Sequence, residues 1–244
     1  MYKREIFEIS ENTLIAKNTY KMVLMGNTKD ITAPGQFINI MINGFYLRRP
    51  ISVCDYDDNS VTIIYKTVGK GTEAMSRLGL GVKLDVLTGL GNGFNTAKGG
   101  ERPLLIGGGL GVAPMYALAK ALLLEGKQVS VIIGFNTERE IVLEQELLDL
   151  GVNLAVVTAD GSKGKAGFPT DAMCDFDYTY FYTCGPLPML RAVSDASKTD
   201  GELSFEERMG CGFGACMGCS CETKYGNKRI CRDGPVLTKE EVIW

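Results

Sequence analysis

The chain contains no histidine. That absence excludes Ser-His and Cys-His catalytic dyads and triads, Rieske-type ligation and every zinc motif built on imidazole, so redox or transfer chemistry falls to cofactors rather than to side chains. Excess charge of one sign is also missing: 26 Lys and Arg against 29 Asp and Glu leave a net −3, with no basic run. Nucleic acid and anionic membrane surfaces are therefore not expected partners. Nor is there a membrane-length apolar helix. The most apolar stretch, Pro103 to Leu124, carries four glycines and a proline in LLIGGGLGVAP and Lys120 in its second half, and reads as buried strand, turn and helix. The opening MYKREIFEIS is charged rather than apolar, so no secretory leader is read and a reducing, cytoplasmic setting is expected.

What the chain does have is cysteine. Four of its eight cysteines, Cys211, Cys216, Cys219 and Cys231, follow a C-x4-C-x2-C…C spacing inside the stretch GCGFGACMGCSC. This is an arrangement used to hold a [2Fe–2S] cluster, because three thiolates converge from one tight loop and a fourth returns from further on. Gly210, Gly212, Gly214 and Gly218 let backbone amides approach the sulfurs. Structural zinc is the competing reading, although zinc modules usually present two short C-x2-4-C pairs. Disulfides fit poorly with a reducing setting. Cys54, Cys174 and Cys184 are expected to be small buried hydrophobes, and Cys221, two residues past Cys219, stays ambiguous as a ligand.

With 244 residues and 45% hydrophobic content, the chain can build two medium domains and a small module. Residues 1–98 read as six short strands, at Lys3 to Ile9, Tyr20 to Met25, Gln36 to Ile42, Ile51 to Tyr56, Val61 to Tyr65 and Val82 to Thr88, with a helix over Thr72 to Arg77. Six strands at this spacing predict a small antiparallel barrel. Over 99–202 the rhythm alternates: strand Pro103 to Ile106, a glycine turn, helix Pro114 to Glu125, strand Gln128 to Gly134, a helix to Leu150 opened by a Thr137-x-x-Glu140 capping box, strands Asn153 to Thr158 and Tyr178 to Thr183, and helix Pro188 to Ala196. That pattern predicts a parallel doubly wound sheet with ligands at the carboxyl ends of its strands. Residues 203–244 form the cysteine module, in which a hairpin turning at Tyr225-Gly226-Asn227 would return Cys231 to the cluster.

Three further motifs carry chemistry. The turn Gly107-Gly108-Gly109-Leu110-Gly111-Val112-Ala113-Pro114 departs from G-x-G-x-x-G, yet a glycine turn entering a helix presents free amides to a pyrophosphate. Gly108, Gly109 and Gly111 are its candidates; close helix–sheet packing is the alternative. Cys184-Gly185-Pro186 closes the last parallel strand, where a nicotinamide could rest or where the chain merely turns. In the barrel, Arg48 and Arg49 precede Pro50, Ile51 and Ser52, so Arg49 is a candidate pyrophosphate clamp and Ser52 a candidate donor to a ring edge. Tyr65 offers a ring for stacking, and Gly71-Thr72 a helix start. No catalytic side chain is identified.

Together these residues resemble the ferredoxin-reductase superfamily, through R-P-x-S at Arg49 to Ser52, G-G-G-x-G-x-A-P at Gly107 to Pro114, and C-G-P at Cys184 to Pro186. More narrowly, Glu207-Arg208-Met209-Gly210-Cys211 through Cys219 is similar to the cluster segment of the electron-transfer subunits of NAD-dependent (type B) dihydroorotate dehydrogenase. The resemblance implies FAD held by Arg49, Pro50, Ile51, Ser52, Ile64, Tyr65, Lys66, Gly71 and Thr72, and a cluster on Cys211, Cys216, Cys219 and Cys231. It implies NAD as exchanging substrate and an FMN-containing catalytic partner in a two-plus-two heterotetramer, serving pyrimidine biosynthesis. NADP stays open because Arg139 lies close after Gly134-Phe135-Asn136. A stand-alone ferredoxin- or sulfide-linked NAD(P)H flavin reductase, and a zinc-bearing binding module without turnover, are the alternatives. Phe213 and Met217 are expected either at the partner interface or in the core.

Overall fold

Apolar residues alternate along the N-terminal strands, and in the computed structural model, which describes residues 2–244, they turn inward together. Strands β1 (Lys3–Ala16), β2 (Thr19–Met25), β3 (Phe37–Ile40), β4 (Arg49–Tyr56) and β5 (Ser60–Lys66), then helix α1 (Lys70–Ser76) and strand β6 (Lys83–Leu90), make a closed antiparallel barrel in the order β1-β2-β5-β4-β3-β6. Phe7, Ile9, Met22, Leu24, Ile38, Ile40, Val53, Ile63 and Val86 fill it, and Met75 of α1 plugs one end. Each such side chain contributes about 1.5–3 kcal/mol by leaving water. Closure is also electrostatic. Asp85 on β6 receives Arg4 of β1 at 2.8 Å and Arg48, just before β4, at 2.8 Å.

The second domain is a seven-stranded sheet. Its elements run β7 (Pro103–Gly108), α2 (Val112–Leu124), β8 (Ser130–Phe135), α3 (Glu144–Asp149), β9 (Asn153–Thr158), β10 (Lys165–Ala166), α4 (Pro169–Ala172), β11 (Tyr180–Cys184), α5 (Leu187–Ala196) and β12 (Gly201–Ser204). The cysteine segment adds β13 (Ser220–Thr223), β14 (Gly226–Arg229), α6 (Ile230–Asp233) and β15 (Val236–Thr238). Sheet order is β10-β9-β8-β7-β11-β12-β15, parallel except for β15, which lies antiparallel on β12. The order reverses between β7 and β11, so the crevice at a switch point falls beside Gly107 and Cys184, which are register partners. Among the described residues no helix is long and apolar enough to cross a membrane.

Barrel and sheet share a core. Cys54 of β4 and Ile64 of β5 pack with Val112, Met115, Leu118 and Leu122 of α2, and Asp55 of β4 accepts from Lys120 of α2 at 2.7 Å. The cysteine segment is tied to both: β15 joins the sheet, while Asn92, beyond β6, donates through Nδ2 to the Val236 carbonyl at 2.7 Å.

Three sequence expectations are corrected. The Thr137-x-x-Glu140 capping box does not open a helix to Leu150: residues Glu138–Glu140 make one 3-10 turn, Thr137 caps nothing, and α3 starts only at Glu144 after Leu143 at φ 62°. The cause is tertiary, since Val142 and Leu143 are pulled into the core and the Glu140 carboxylate is taken by Lys66 and Asn136. The cysteine hairpin turns at Lys224-Tyr225, with Thr223 paired to Gly226, rather than at Tyr225-Gly226-Asn227. Cys174 is exposed, because it sits in the 3-10 turn Met173–Asp175 after α4, while Cys54 and Cys184 are buried.

Candidate functional site

The four spaced cysteines gather in two pairs. The Cys216 amide reaches Cys211 Sγ and the Cys231 amide reaches Cys219 Sγ, and the Ile230 amide donates to the Cys219 carbonyl at 3.1 Å, so α6 delivers Cys231 to its partner. Backbone amides turn onto the sulfurs: Ala215 and Cys216 donate to Cys211 Sγ at 3.2 and 3.4 Å, Gly218 to Cys216 Sγ at 3.5 Å, and Cys231 to Cys219 Sγ at 3.4 Å. Among the described residues no three His, Cys, Asp or Glu side chains converge on one point as a single ion needs. Sulfurs that already accept backbone amides suit the charge-rich thiolates that an iron–sulfur cluster needs.

The thiols differ in character. Burial acts upward on Cys211, but the amides of Cys216, Phe213 and Ala215 outweigh it and hold the thiol down at about 6. Burial, followed by the neighbouring Cys219, pushes Cys231 up to about 12. Cys219 and Cys231 lie inside, whereas Ala215 to Gly218 are exposed, with Met217 at φ 60° on the rim. Phe213 packs inward and meets the Tyr2 ring in a tilted contact, centroids 4.7 Å apart. Cys221 on β13 leans on the same core and makes no bond to the other thiols.

The thiol loop is docked onto the barrel. Asn39 of β3, buried, donates through Nδ2 to the Cys211 carbonyl at 3.1 Å, and its register partner is Pro50. Pro50 lines a cavity of about 490 Å³ between barrel and sheet. The cavity therefore lies one strand away from the cysteine loop, and Met209, two residues before Cys211, forms part of its wall.

That cavity collects Arg49, Pro50, Ile51, Ser52, Ile64, Tyr65, Lys66 and Thr72 from the barrel side with Gly108, Gly109, Cys184 and Pro186 from the sheet. Gly71, Gly111 and Gly185 stand behind this wall. A Cβ at Gly71 would lie 2.1 Å from Arg49 Nε, and one at Gly111 2.1 Å from the Cys184 carbonyl oxygen, so both serve close approach. Arg49 rests 4.9 Å over the Phe45 ring and has no carboxylate within salt-bridge range among the described residues. A guanidinium that lines a cavity this size, donating to the Leu47 carbonyl but to no carboxylate, fits the pyrophosphate of a dinucleotide.

Two residues play parts other than those expected. The Tyr65 ring is not free for stacking on a ligand: it is buried against Tyr20 at 5.6 Å, and its hydroxyl donates to Asn12 Oδ1 at 2.8 Å, because its position on β5 points into the barrel. The Thr72 hydroxyl accepts from the Val68 and Gly69 amides at 3.0 and 3.3 Å, which makes it a closure of the turn into α1. Burial pushes the Cys184 thiol up to about 12, so it stays protonated and is no nucleophile.

A second cavity, of about 430 Å³, opens on the other side of the Gly108-Gly109 turn. Gly134, Phe135 and Asn136 at the end of β8, Phe168 to Thr170 at α4, and Pro188, Met189 and Ala192 of α5 line it. Gly108, Gly109 and Pro186 face both cavities. Gly109, at φ 55°, makes that thin partition possible, since a side chain there would be strained. No charged side chain lines the second cavity.

Sequence reasoning missed Asn39, Asn136, Phe168, Met209 and Glu206. Glu206 follows β12 and lines the first cavity; recessed there though reached by solvent, its carboxyl is raised by burial. The signal that could have found it is its place just past a strand at the carboxyl edge of the sheet, and that strand was not recognised.

Comparison with known proteins agrees with this geometry. The family model described as the iron–sulfur cluster binding domain of dihydroorotate dehydrogenase B matches residues 206–243, and the oxidoreductase NAD-binding domain matches residues 105–195. Relatives named dihydroorotate dehydrogenase B (NAD(+)), electron transfer subunit, are 41% identical in Fusobacterium nucleatum, over 98% of both chains, and 40% identical in a Geobacillus strain, over 100% of both. The structure of the NADH-dependent reduced ferredoxin–NADP oxidoreductase, studied for flavin-based electron bifurcation, superposes with a TM-score of 0.88 at 28% identity, over 98% of this chain and 90% of that one. The chain belongs to the family of electron-transfer subunits of NAD-dependent dihydroorotate dehydrogenase B.

Proposed function

We propose that this chain carries electrons from a catalytic subunit that oxidises dihydroorotate, through a [2Fe–2S] cluster and FAD, to NAD, in pyrimidine biosynthesis. The observation that carries this reading is the contiguity of the two thiol pairs, the cavity bearing Arg49 and the uncharged second cavity in a chain that matches its relatives end to end. A flavin exchanges electrons singly or in pairs, which lets it stand between a cluster and a nicotinamide.

In this reading the chain's residues bind, orient and exclude water. Cys211 with Cys216, and Cys219 with Cys231, hold the irons, and amides of the glycine loop temper the sulfur charge. Arg49 takes the FAD pyrophosphate, with Gly71 keeping space for it; Pro50, Ile51, Ser52, Ile64, Lys66 and Thr72 form the barrel wall, with the Tyr65 backbone between them. Gly108, Gly109 and Pro186 line both cavities, so a nicotinamide reaching over their turn from the second cavity would meet the flavin directly, as hydride transfer requires, and buried Cys184 and Gly185 back that turn. The lack of a cation in the second cavity favours NAD over NADP, whose 2′-phosphate calls for one.

The exposed rim from Ala215 to Gly218 is the face offered to the partner. That partner holds FMN in a two-plus-two assembly in the cytoplasm. Co-expression with an FMN-containing dihydroorotate-oxidising subunit tests the reading. Co-purification is expected, with dihydroorotate-dependent NAD reduction by the complex and by neither subunit alone. Full dihydroorotate-to-NAD turnover by the partner alone, or no association, contradicts it.

A further inference from the structure

Glu140 is the residue of the failed capping box, and its carboxylate has two partners on opposite sides. Oε1 accepts from Lys66 Nζ at 2.8 Å, and Oε2 accepts from Asn136 Nδ2 at 3.1 Å. Lys66 ends β5 and lines the first cavity; Asn136 follows β8 and lines the second. The carboxylate is largely buried, with a side-chain exposure of 16%. The Lys66 hydrogen bond, opposed by burial and aided by Asn136, lowers its pKa from the ordinary carboxylate value. A carboxylate only accepts, so it dictates which end of the Asn136 amide faces it and leaves Oδ1 as that amide's free acceptor. Backbone supports the same junction: the Lys17 amide of the barrel donates to the Arg139 carbonyl at 3.1 Å.

We propose that Glu140 is a positioning residue that couples the two cavities, transmitting the state of the Lys66 ammonium on the flavin side to the Asn136 amide on the nicotinamide side. This inference rests on the assignment of FAD to the first cavity and NAD to the second. Lys66 and Arg49 are the cations lining the first cavity, so an anionic dinucleotide there competes with Glu140 for the ammonium. Any such competition alters the grip of Glu140 on Asn136. Linkage then requires the reverse effect, of NAD on the flavin, by the same factor.

A second ion pair across the same domain junction provides the control. Asp55 and Lys120 meet at 2.7 Å, and neither lines a cavity. If Glu140 were only a clamp between domains, breaking either pair would act alike.

The test is calorimetric titration of NAD+ into the full-length, FAD-loaded chain, in which oxidised flavin permits no turnover. Lys66→Met is expected to weaken NAD+ by about two- to fivefold, the size of one partly exposed ion pair, and to do nothing further in a Glu140→Ala background. Lys120→Met is expected to leave NAD+ affinity unchanged. Equal effects of Lys66→Met in both backgrounds, no effect in either, or an equal effect of Lys120→Met would overturn the proposal. Flavin and cluster absorbance report folding of each variant, and Glu140→Gln takes the place of Glu140→Ala if the latter does not fold. A wild-type chain that takes up no FAD, or releases no heat with NAD+, refutes the assignment of the cavities instead. Wild-type binding of both with a flat cycle refutes the coupling alone.

Discussion

Gly71 has no side chain because Arg49 occupies the space one would need: a Cβ there would lie 2.1 Å from the guanidinium Nε. The clash is with the end of a flexible side chain, and Gly71 sits inside α1, so Gly71→Ala should fold and gain up to about 1 kcal/mol of helix propensity. It should nevertheless displace Arg49 and lose flavin affinity. Equal or higher Tm with tenfold weaker FAD retention on gel filtration is the expected outcome, and unchanged retention would remove Arg49 from the site. The cysteines make a second residue-scale prediction. Cys211, held at about 6, is a thiolate above that pH, while Cys231, at about 12, stays protonated throughout the physiological range. Alkylation of cluster-free protein followed by peptide mass spectrometry should therefore label Cys211 early at pH 7 and Cys231 last, with the Cys211 rate rising through pH 6. The gathering of the spaced cysteines was legible from the sequence because a short glycine-bearing loop turns its own amides onto its sulfurs. Asn39 was not, since an asparagine inside a β-strand carries no local sign that it will support a loop 172 residues away.

At the scale of elements, legibility followed how local the determining contacts are. The six barrel strands and Asn153–Thr158 emerged from alternation and turn residues, which act within a few positions. The helix expected from Thr137 failed because Lys66, far off in the chain, claims Glu140 and the core claims Val142 and Leu143. Strands β12 and β15 escaped notice for a related reason: each is only three or four residues long and exists by pairing with a distant neighbour. Barrel closure gives the prediction at this scale. Burial alone would raise the Asp85 carboxyl, but Arg4 and Arg48 hold it below the usual carboxylate range. A depressed folded-state value means stability that is present above the unfolded carboxylate pKa, near 3.9, and lost as pH falls through the folded one. Asp85→Asn should thus lower stability by about 1 kcal/mol at pH 7, with the difference shrinking below pH 4, as denaturant melts at several pH values can show. A difference that persists undiminished at pH 2 would mean the carboxylate charge is not what joins β6 to β1.

For the molecule as a whole, the arrangement is a sequence of three adjoining compartments. The cysteine loop rests on the barrel through Asn39, the first cavity lies one strand beyond, and the second begins across the Gly108-Gly109 turn. Such contiguity suits electron transfer, which needs short separations and no moving substrate between the cluster and the flavin. The sequence disclosed each compartment by its motif. It did not disclose their junctions, because Asn39, Met209 and Glu140 acquire their roles only when barrel, sheet and cysteine segment meet. The most direct test is electron paramagnetic resonance of anaerobically purified, dithionite-reduced protein. One reduced [2Fe–2S] signal per chain is predicted, retained in Cys221→Ser and lost in Cys219→Ala while flavin absorbance remains. A silent wild type, or a signal that survives Cys219→Ala, would contradict the account.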